Sequence, residues 1–125
     1  MSAVPFEPRP LNASEHAVLE HILSAGFVGA AALRGQLDRT EVVATWGAGS
    51  ASVDLRVRGL VRHPAPASVP LPVDALVHDR AGEYIGELLV WAEGGTTLSA
   101  LEYAWVTDEM PGSLPSVDQI QRTAQ

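Results

Sequence analysis

The spacing of apolar residues changes near residue 40, and this change is what most constrains the fold. Before it, Val18, Leu19, Ile22 and Leu23 recur at the i, i+3, i+4 spacing of an amphipathic helix. After it, apolar and polar residues alternate over 53–58, as they do in a β-strand with one buried face. The sequence therefore predicts a helical segment followed by a sheet.

Two helices are predicted in the first part of the chain. The first covers 13–24 and begins at Asn12, which forms a capping-box pattern with Glu15 three residues later. Gly26 supplies its end. A second, shorter helix is predicted over 28–37, where helix-forming residues place Leu33 and Leu37 four positions apart.

Five strands are predicted after the helices. A β-hairpin contains a Gly-Ala-Gly-Ser turn, and Val42, Ala44 and Trp46 share one face of its first strand. Runs at 73–79, 84–93 and 96–107 are separated by turn sequences and predict a three-strand meander. The last run carries apolar residues on both faces, which predicts a central strand. Strict alternation in that run puts Glu102 on the same face as Leu98.

The remaining segments are rich in proline and show no such alternation. Residues 1–10 contain three prolines and predict an extended N-terminal arm before a single domain over 11–125. His63 to Pro72 contains four prolines and predicts a stiff connection, and the tail from Asp108 predicts irregular chain with one helical turn capped by Ser116. The predicted fold class is α+β, with two N-terminal helices packed on a mostly antiparallel sheet of about five strands.

The charge balance limits the classes of partner. Fifteen acidic residues against eight basic ones give a formal net charge of −7, which repels nucleic acids and anionic membrane surfaces and favours a basic protein partner. Cysteine is absent from the sequence, which excludes disulfides and thiolate metal sites. No metal site and no cofactor are predicted. The start lacks a signal-peptide pattern and no apolar run approaches about 20 residues, so we expect a cytoplasmic, soluble protein.

Three glutamates are the candidates for acid/base chemistry. Glu87, Glu93 and Glu102 lie on adjacent predicted strands, where carboxylates can converge. Glu102 with Glu87 or His78 is the weak catalytic hypothesis, for a small hydrolase or ligand-binding domain. In the structural alternative, an arginine such as Arg34 or Arg56 neutralises Glu102.

Aromatic residues suggest a different kind of site. Trp91, Tyr103 and Trp105 lie in predicted strands and would mark a binding surface if they shared one exposed face. Such a face, or an edge strand, can also be covered by a second copy of the chain, so a homo-oligomer stays open.

Three short motifs carry a resemblance to known proteins. They are Trp-Gly-x-Gly-x-x-Ser-Val-Asp-Leu at 46–55, Leu-Ser-Ala-Leu-Glu-Tyr at 98–103 and Leu-Pro-Ser at 114–116. With the order of elements, they resemble a group of small, uncharacterised, mainly actinobacterial proteins. Many of that group carry Cys-Gly-Cys in the hairpin, where this chain has Trp46 to Gly49. The resemblance implies a fold rather than an activity.

Two classes of function follow from the sequence. The first is a non-enzymatic protein-binding or accessory role of the immunity type, in which the acidic surface neutralises a partner. The second is the small hydrolase or ligand-binding domain that uses Glu102.

Overall fold

A computed structural model of the chain describes residues 3–60 and 64–125. Over these ranges, eight strands form one antiparallel sheet, accompanied by two short α-helices and two 3-10 turns. The helices are α1 (Ala13–Leu23) and α2 (Ala30–Arg34), and the 3-10 turns are Leu37–Arg39 and Val117–Gln119. The strands are β1 (Val4–Pro10), β2 (Thr40–Thr45), β3 (Val53–Val57), β4 (Ser68–Pro70), β5 (Val73–His78), β6 (Tyr84–Glu93), β7 (Thr97–Trp105) and β8 (Ile120–Ala124).

The predicted α+β class with about five strands is wrong. Strands account for 42% of the described residues and helices for 18%, so these residues form a mostly β protein. The prediction did not include β1, β4 and β8. β1 and β4 are almost entirely exposed and contain proline, whereas burial does alternate in β8, but over only five residues.

The three additional strands replace segments that were predicted to be irregular. Residues 4–10 are extended, as predicted, but they pair with β2 as an edge strand. The proline-rich connection contains β4, which pairs with β6; its first residue, His63, lies outside the described residues. In the tail, Ser116 caps a 3-10 turn as predicted, and β8 then pairs with β5.

The sheet order is β1-β2-β3-β7-β6-β5-β8, with β4 also beside β6. This order confirms the β2–β3 hairpin, the β5–β6–β7 meander and the central position of β7. Strands β4 and β5 follow one another along the same edge of β6, because β4 pairs with residues 91–93 and β5 with residues 84–87.

The helices pack on one face of the sheet, which we call the helix-covered face. Its strand residues alternate with the partly exposed residues of the opposite face, which we call the open face. Gln36, just after α2, fixes the helical segment to β7, because its side chain donates to Thr96 O at 2.7 Å and accepts from Leu98 N at 3.1 Å. Residues buried on this side include Val18, Leu19, Ile22, Leu33, Val42, Leu55, Val77, Leu88, Val90, Leu98, Leu101 and Tyr103.

Glu15 holds α1 to the first strand. The predicted capping box is confirmed, since Glu15 N donates to Asn12 Oδ1 at 2.8 Å and Asn12 N donates to Glu15 Oε1 at 2.9 Å. Arg9 of β1 also donates to both carboxylate oxygens, at 2.8 and 2.9 Å. This hydrogen bonding raises the pKa of Arg9 above its ordinary value. A carboxylate that is 4% exposed is thereby fully paired.

None of the helices in the described ranges is long and apolar enough to cross a membrane.

Candidate functional site

Two tryptophan–carboxylate pairs lie on the open face. Trp46 Nε1 donates to Asp54 Oδ1 at 3.0 Å, and Trp91 Nε1 donates to Glu102 Oε1 at 3.0 Å. Trp91 and Glu102 are diagonal neighbours, because Trp91 pairs with Ala100 and Glu102 pairs with Leu89. Each carboxylate is therefore oriented by an indole from a neighbouring chain segment.

Two β-bulges bring these pairs to the open face. In β2 the register shifts between Val42 and Ala44, so Val42 faces the helices while Ala44 and Trp46 lie on the opposite side. The predicted shared face of these three residues is therefore wrong. A bulge adds one residue to a strand and so reverses the side on which the following residues lie.

The second bulge is in β7. Ala92 pairs with Leu98 and Trp91 with Ala100, which leaves Ser99 as the additional residue. Leu98 therefore faces the helices, whereas Glu102 faces the open side; the prediction that the two share a face is wrong. The carboxylate avoids the apolar core for this reason.

A pocket opens where β3 and β7 separate. Their ladder contains the pairs Val53–Leu101 and Asp54–Ala100, and beyond it Ser52 Oγ accepts a hydrogen bond from Tyr103 N at 2.8 Å. The pocket has a volume of about 270 Å³. We call it the Trp46–Glu102 pocket; its lining residues are Trp46, Ser50, Ser52, Glu102, Tyr103, Ala104, Trp105 and Met110.

The glycine-rich hairpin loop forms one side of this pocket. Gly49 has φ of +76°, a left-handed conformation that favours glycine, and the turn brings Ser50 back toward the sheet. Ser52 N donates to Ser50 Oγ at 3.1 Å, which holds the end of the loop. The chain after β7 supplies the other side through Met110.

Large apolar side chains are exposed beside the pocket. Trp105, Val106 and Met110 are 38%, 62% and 40% exposed. Asp108 and Glu109, in the same segment, are also exposed. We call residues 105–110 the exposed segment; it combines apolar side chains with negative charge.

The three predicted aromatic residues do not share one face. Tyr103 is buried in the core, and this burial raises the pKa of its phenol. Trp91 is half-buried on the open face and bonded to Glu102, while Trp105 is exposed.

Glu102, Glu87 and His78 line different pockets. Glu87 lies on the open face opposite Ala104 and lines a pocket with Asp74. His78 is at the end of β5, where its ring meets the edge of Tyr84 with centroids 6.1 Å apart, and it lines a third pocket with Arg80. The structure therefore does not bring His78 or Glu87 into the Trp46–Glu102 pocket.

The predicted arginine partners lie elsewhere or are paired with other residues. Arg56 binds Glu41 at 3.2 Å, across the β2–β3 hairpin. The ion pairs among the described residues are Arg9–Glu15, Arg56–Glu41 and Arg80–Asp118. In these same ranges, no group of three or more histidine, aspartate and glutamate side chains is placed to hold a metal ion.

Sequence reasoning did not place Trp46 or Met110 in the site. Trp46 lies in the hairpin motif, but simple alternation placed it on the same face as Val42. Met110 lies in irregular chain, where neither period nor turn chemistry indicates what a side chain contacts.

No family model, curated protein or solved structure matches this chain. The resemblance to the actinobacterial group therefore stays a prediction.

Proposed function

We propose that the protein acts without catalysis, by binding a basic protein partner through the exposed segment and the adjoining Trp46–Glu102 pocket. The observation that carries this proposal is the exposure of Trp105, Val106 and Met110 next to a pocket that contains a carboxylate. Aromatic residues and methionine are enriched at the centres of protein interfaces, and tryptophan often dominates their binding energy.

Charge supports a basic partner. Asp108 and Glu109 flank the apolar side chains, and the whole chain carries a net charge of −7. Complementary charge accelerates the encounter of two proteins, and added salt weakens this effect because it screens charges that are separated by more than a Debye length, about 10 Å at 0.1 M. An accessory role of the immunity type, in which a basic partner is neutralised, fits this surface, and we propose the cytoplasm as its location.

The enzymatic alternative has less support. It requires Glu102 to work with Glu87 or His78, and the three residues line separate pockets. General acid/base catalysis needs the groups within hydrogen-bond reach of one substrate.

Site-specific photocrosslinking in a lysate of the source cells tests the proposal. A crosslinker at position 105 is compared with one at position 28, because Val28 is fully exposed and lies far along the chain, in the turn before α2. We expect a basic protein to be crosslinked from position 105 and not from position 28, with a lower yield at high salt.

The captured protein must then bind in purified form. Trp105→Ala should weaken its binding by more than about tenfold, as expected for a central tryptophan, while Val28→Ala should leave it unchanged. Equal capture from both positions, or equal affinity of both variants, would contradict the proposal.

A further inference from the structure

We infer that the Trp46–Glu102 pocket receives an arginine side chain of the basic partner, with the guanidinium bound to Glu102. This inference rests on the proposed function and adds the chemical group that the pocket recognises.

Glu102 is oriented but not neutralised. Trp91 Nε1 binds its Oε1 atom at 3.0 Å, and within the described residues the carboxylate accepts no other hydrogen bond and has no arginine partner. Its second oxygen is therefore available to a donor from outside the chain. A half-buried carboxylate held in one orientation suits a cation that arrives with its own N–H groups.

The indole of Trp46 is also fixed in place. Its Nε1 atom is bonded to Asp54, which limits rotation of the ring before any ligand arrives. Trp46 lines the pocket together with Glu102, on the same face of the sheet. A guanidinium is planar and stacks on aromatic rings while its edge donates to a carboxylate, so these residues can engage it together.

Two serine hydroxyls add acceptor capacity. Ser50 Oγ accepts from Ser52 N and Ser52 Oγ accepts from Tyr103 N, and each hydroxyl oxygen has a second lone pair. A guanidinium carries five N–H donors, whereas an ammonium has three donors around a point charge and no plane to stack. The lining therefore favours arginine over lysine.

The size of the pocket agrees with a single side chain. Its volume of about 270 Å³ is below the range of about 300–1,000 Å³ typical of sites for drug-sized ligands.

Titration with blocked tripeptides tests this inference. The probes are Ac-Gly-Arg-Gly-NH2 and Ac-Gly-Lys-Gly-NH2, and binding is followed by the NMR signals of the three tryptophan indole N–H groups. We expect the arginine peptide to shift the Trp46 signal and to bind more tightly than the lysine peptide. Equal affinity for the two peptides, or no shift of the Trp46 signal, would overturn the inference.

Glu102→Gln and Glu87→Gln form a matched pair of variants. Each removes one negative charge from the open face, but Glu87 does not line this pocket. The amide oxygen of Glu102→Gln can still accept from Trp91. We expect Glu102→Gln to lower the affinity for the arginine peptide by about tenfold, because one charge-assisted hydrogen bond is lost. We expect Glu87→Gln to change this affinity by less than about twofold. Equal weakening by both would show a general effect of charge and would overturn the inference.

The purified partner separates this inference from the proposed function. If the partner binds wild type and Glu102→Gln equally well, the arginine pocket is refuted and protein binding stands. If the arginine peptide binds as expected but crosslinking captures no basic protein, the proposed function fails and the preference of the pocket for arginine stands.

Discussion

The two faces of the sheet use the same strands for different purposes. On the helix-covered face, Leu88, Leu101 and their neighbours form a buried apolar cluster with residues of α1 and α2. On the open face, alternate positions of the same strands carry Trp91, Glu102 and Glu87, which remain partly exposed. The helix-covered face therefore provides most of the stability, and the open face can carry charged side chains and a binding site.

The largest expected effect is a core truncation. Leu101→Ala removes a fully buried side chain from the helix-covered face and should lower the free energy of unfolding by about 3 kcal/mol. Leu89→Ala, on the open face of the neighbouring strand, should cost about 1 kcal/mol because its side chain is half-buried. Urea denaturation measures both. Equal losses would break the comparison between the faces.

A second test compares two ion pairs: Arg9–Glu15, which joins β1 to α1, and Arg56–Glu41, on the open face. Arg9→Ala leaves Glu15 buried without its cation and should cost about 2 kcal/mol, less than for a fully buried pair because the Arg9 side chain is 40% exposed. Arg56→Ala breaks an exposed pair on the open face and should cost less than about 0.5 kcal/mol. Urea denaturation of the two variants gives the values. A larger loss for Arg56→Ala would contradict the distinction.

Trp91→Phe sharpens the comparison within the open face. It removes the indole donor from Glu102 while keeping an aromatic ring, and should cost about 1 kcal/mol, the value of one hydrogen bond. It should also weaken binding of the arginine peptide, because Glu102 loses its fixed orientation. Thermal unfolding and peptide titration on the same sample report the two effects. Unchanged peptide binding would show that Trp91 does not position Glu102.

The smallest effect concerns pH and Tyr103, which neighbours Glu102 in β7 but faces the core. Burial raises the pKa of Tyr103 above its ordinary value of 10.0, so the unfolded chain ionises first as the pH rises. The contribution of this group to stability is intact below pH 10 and is lost progressively above it. Tyr103→Phe should remove that part of the alkaline loss and change little at pH 7. Urea midpoints of the wild type and the variant, at pH 7 and above pH 10, measure this difference. An identical loss of stability above pH 10 in the variant would contradict the prediction.

The regular elements could be predicted from sequence because single residues signal them. Asn12 and Glu15 identified the start of α1, and the turn sequences on either side of 84–93 identified β6. The strands β1 and β4 could not be found this way, because pairing with a neighbour, rather than alternating burial, makes them strands. In β8 burial alternates, but Ile120 is the one large apolar side chain that marks its buried face. The backbone partners of all three strands lie far away in sequence.

The candidate site was harder to predict for a related reason. A bulge at Val43 or Ser99 leaves no clear mark in composition, yet it decides on which face Trp46 and Glu102 lie. Glu102 was identified as unusual from its apolar neighbours, but its partner Trp91 depends on strand register, which the sequence does not specify.

The prolines of β1 also bear on self-association. Proline occurs in an edge strand where its nitrogen points away from the neighbouring strand, so Pro5, Pro8 and Pro10 make β1 a poor template for another chain. At the opposite end of the sheet, β8 contains no proline. Two copies that paired through the end strands of the sheet would therefore meet through β8 in both. Such a contact closes after two chains and cannot propagate into a fibre.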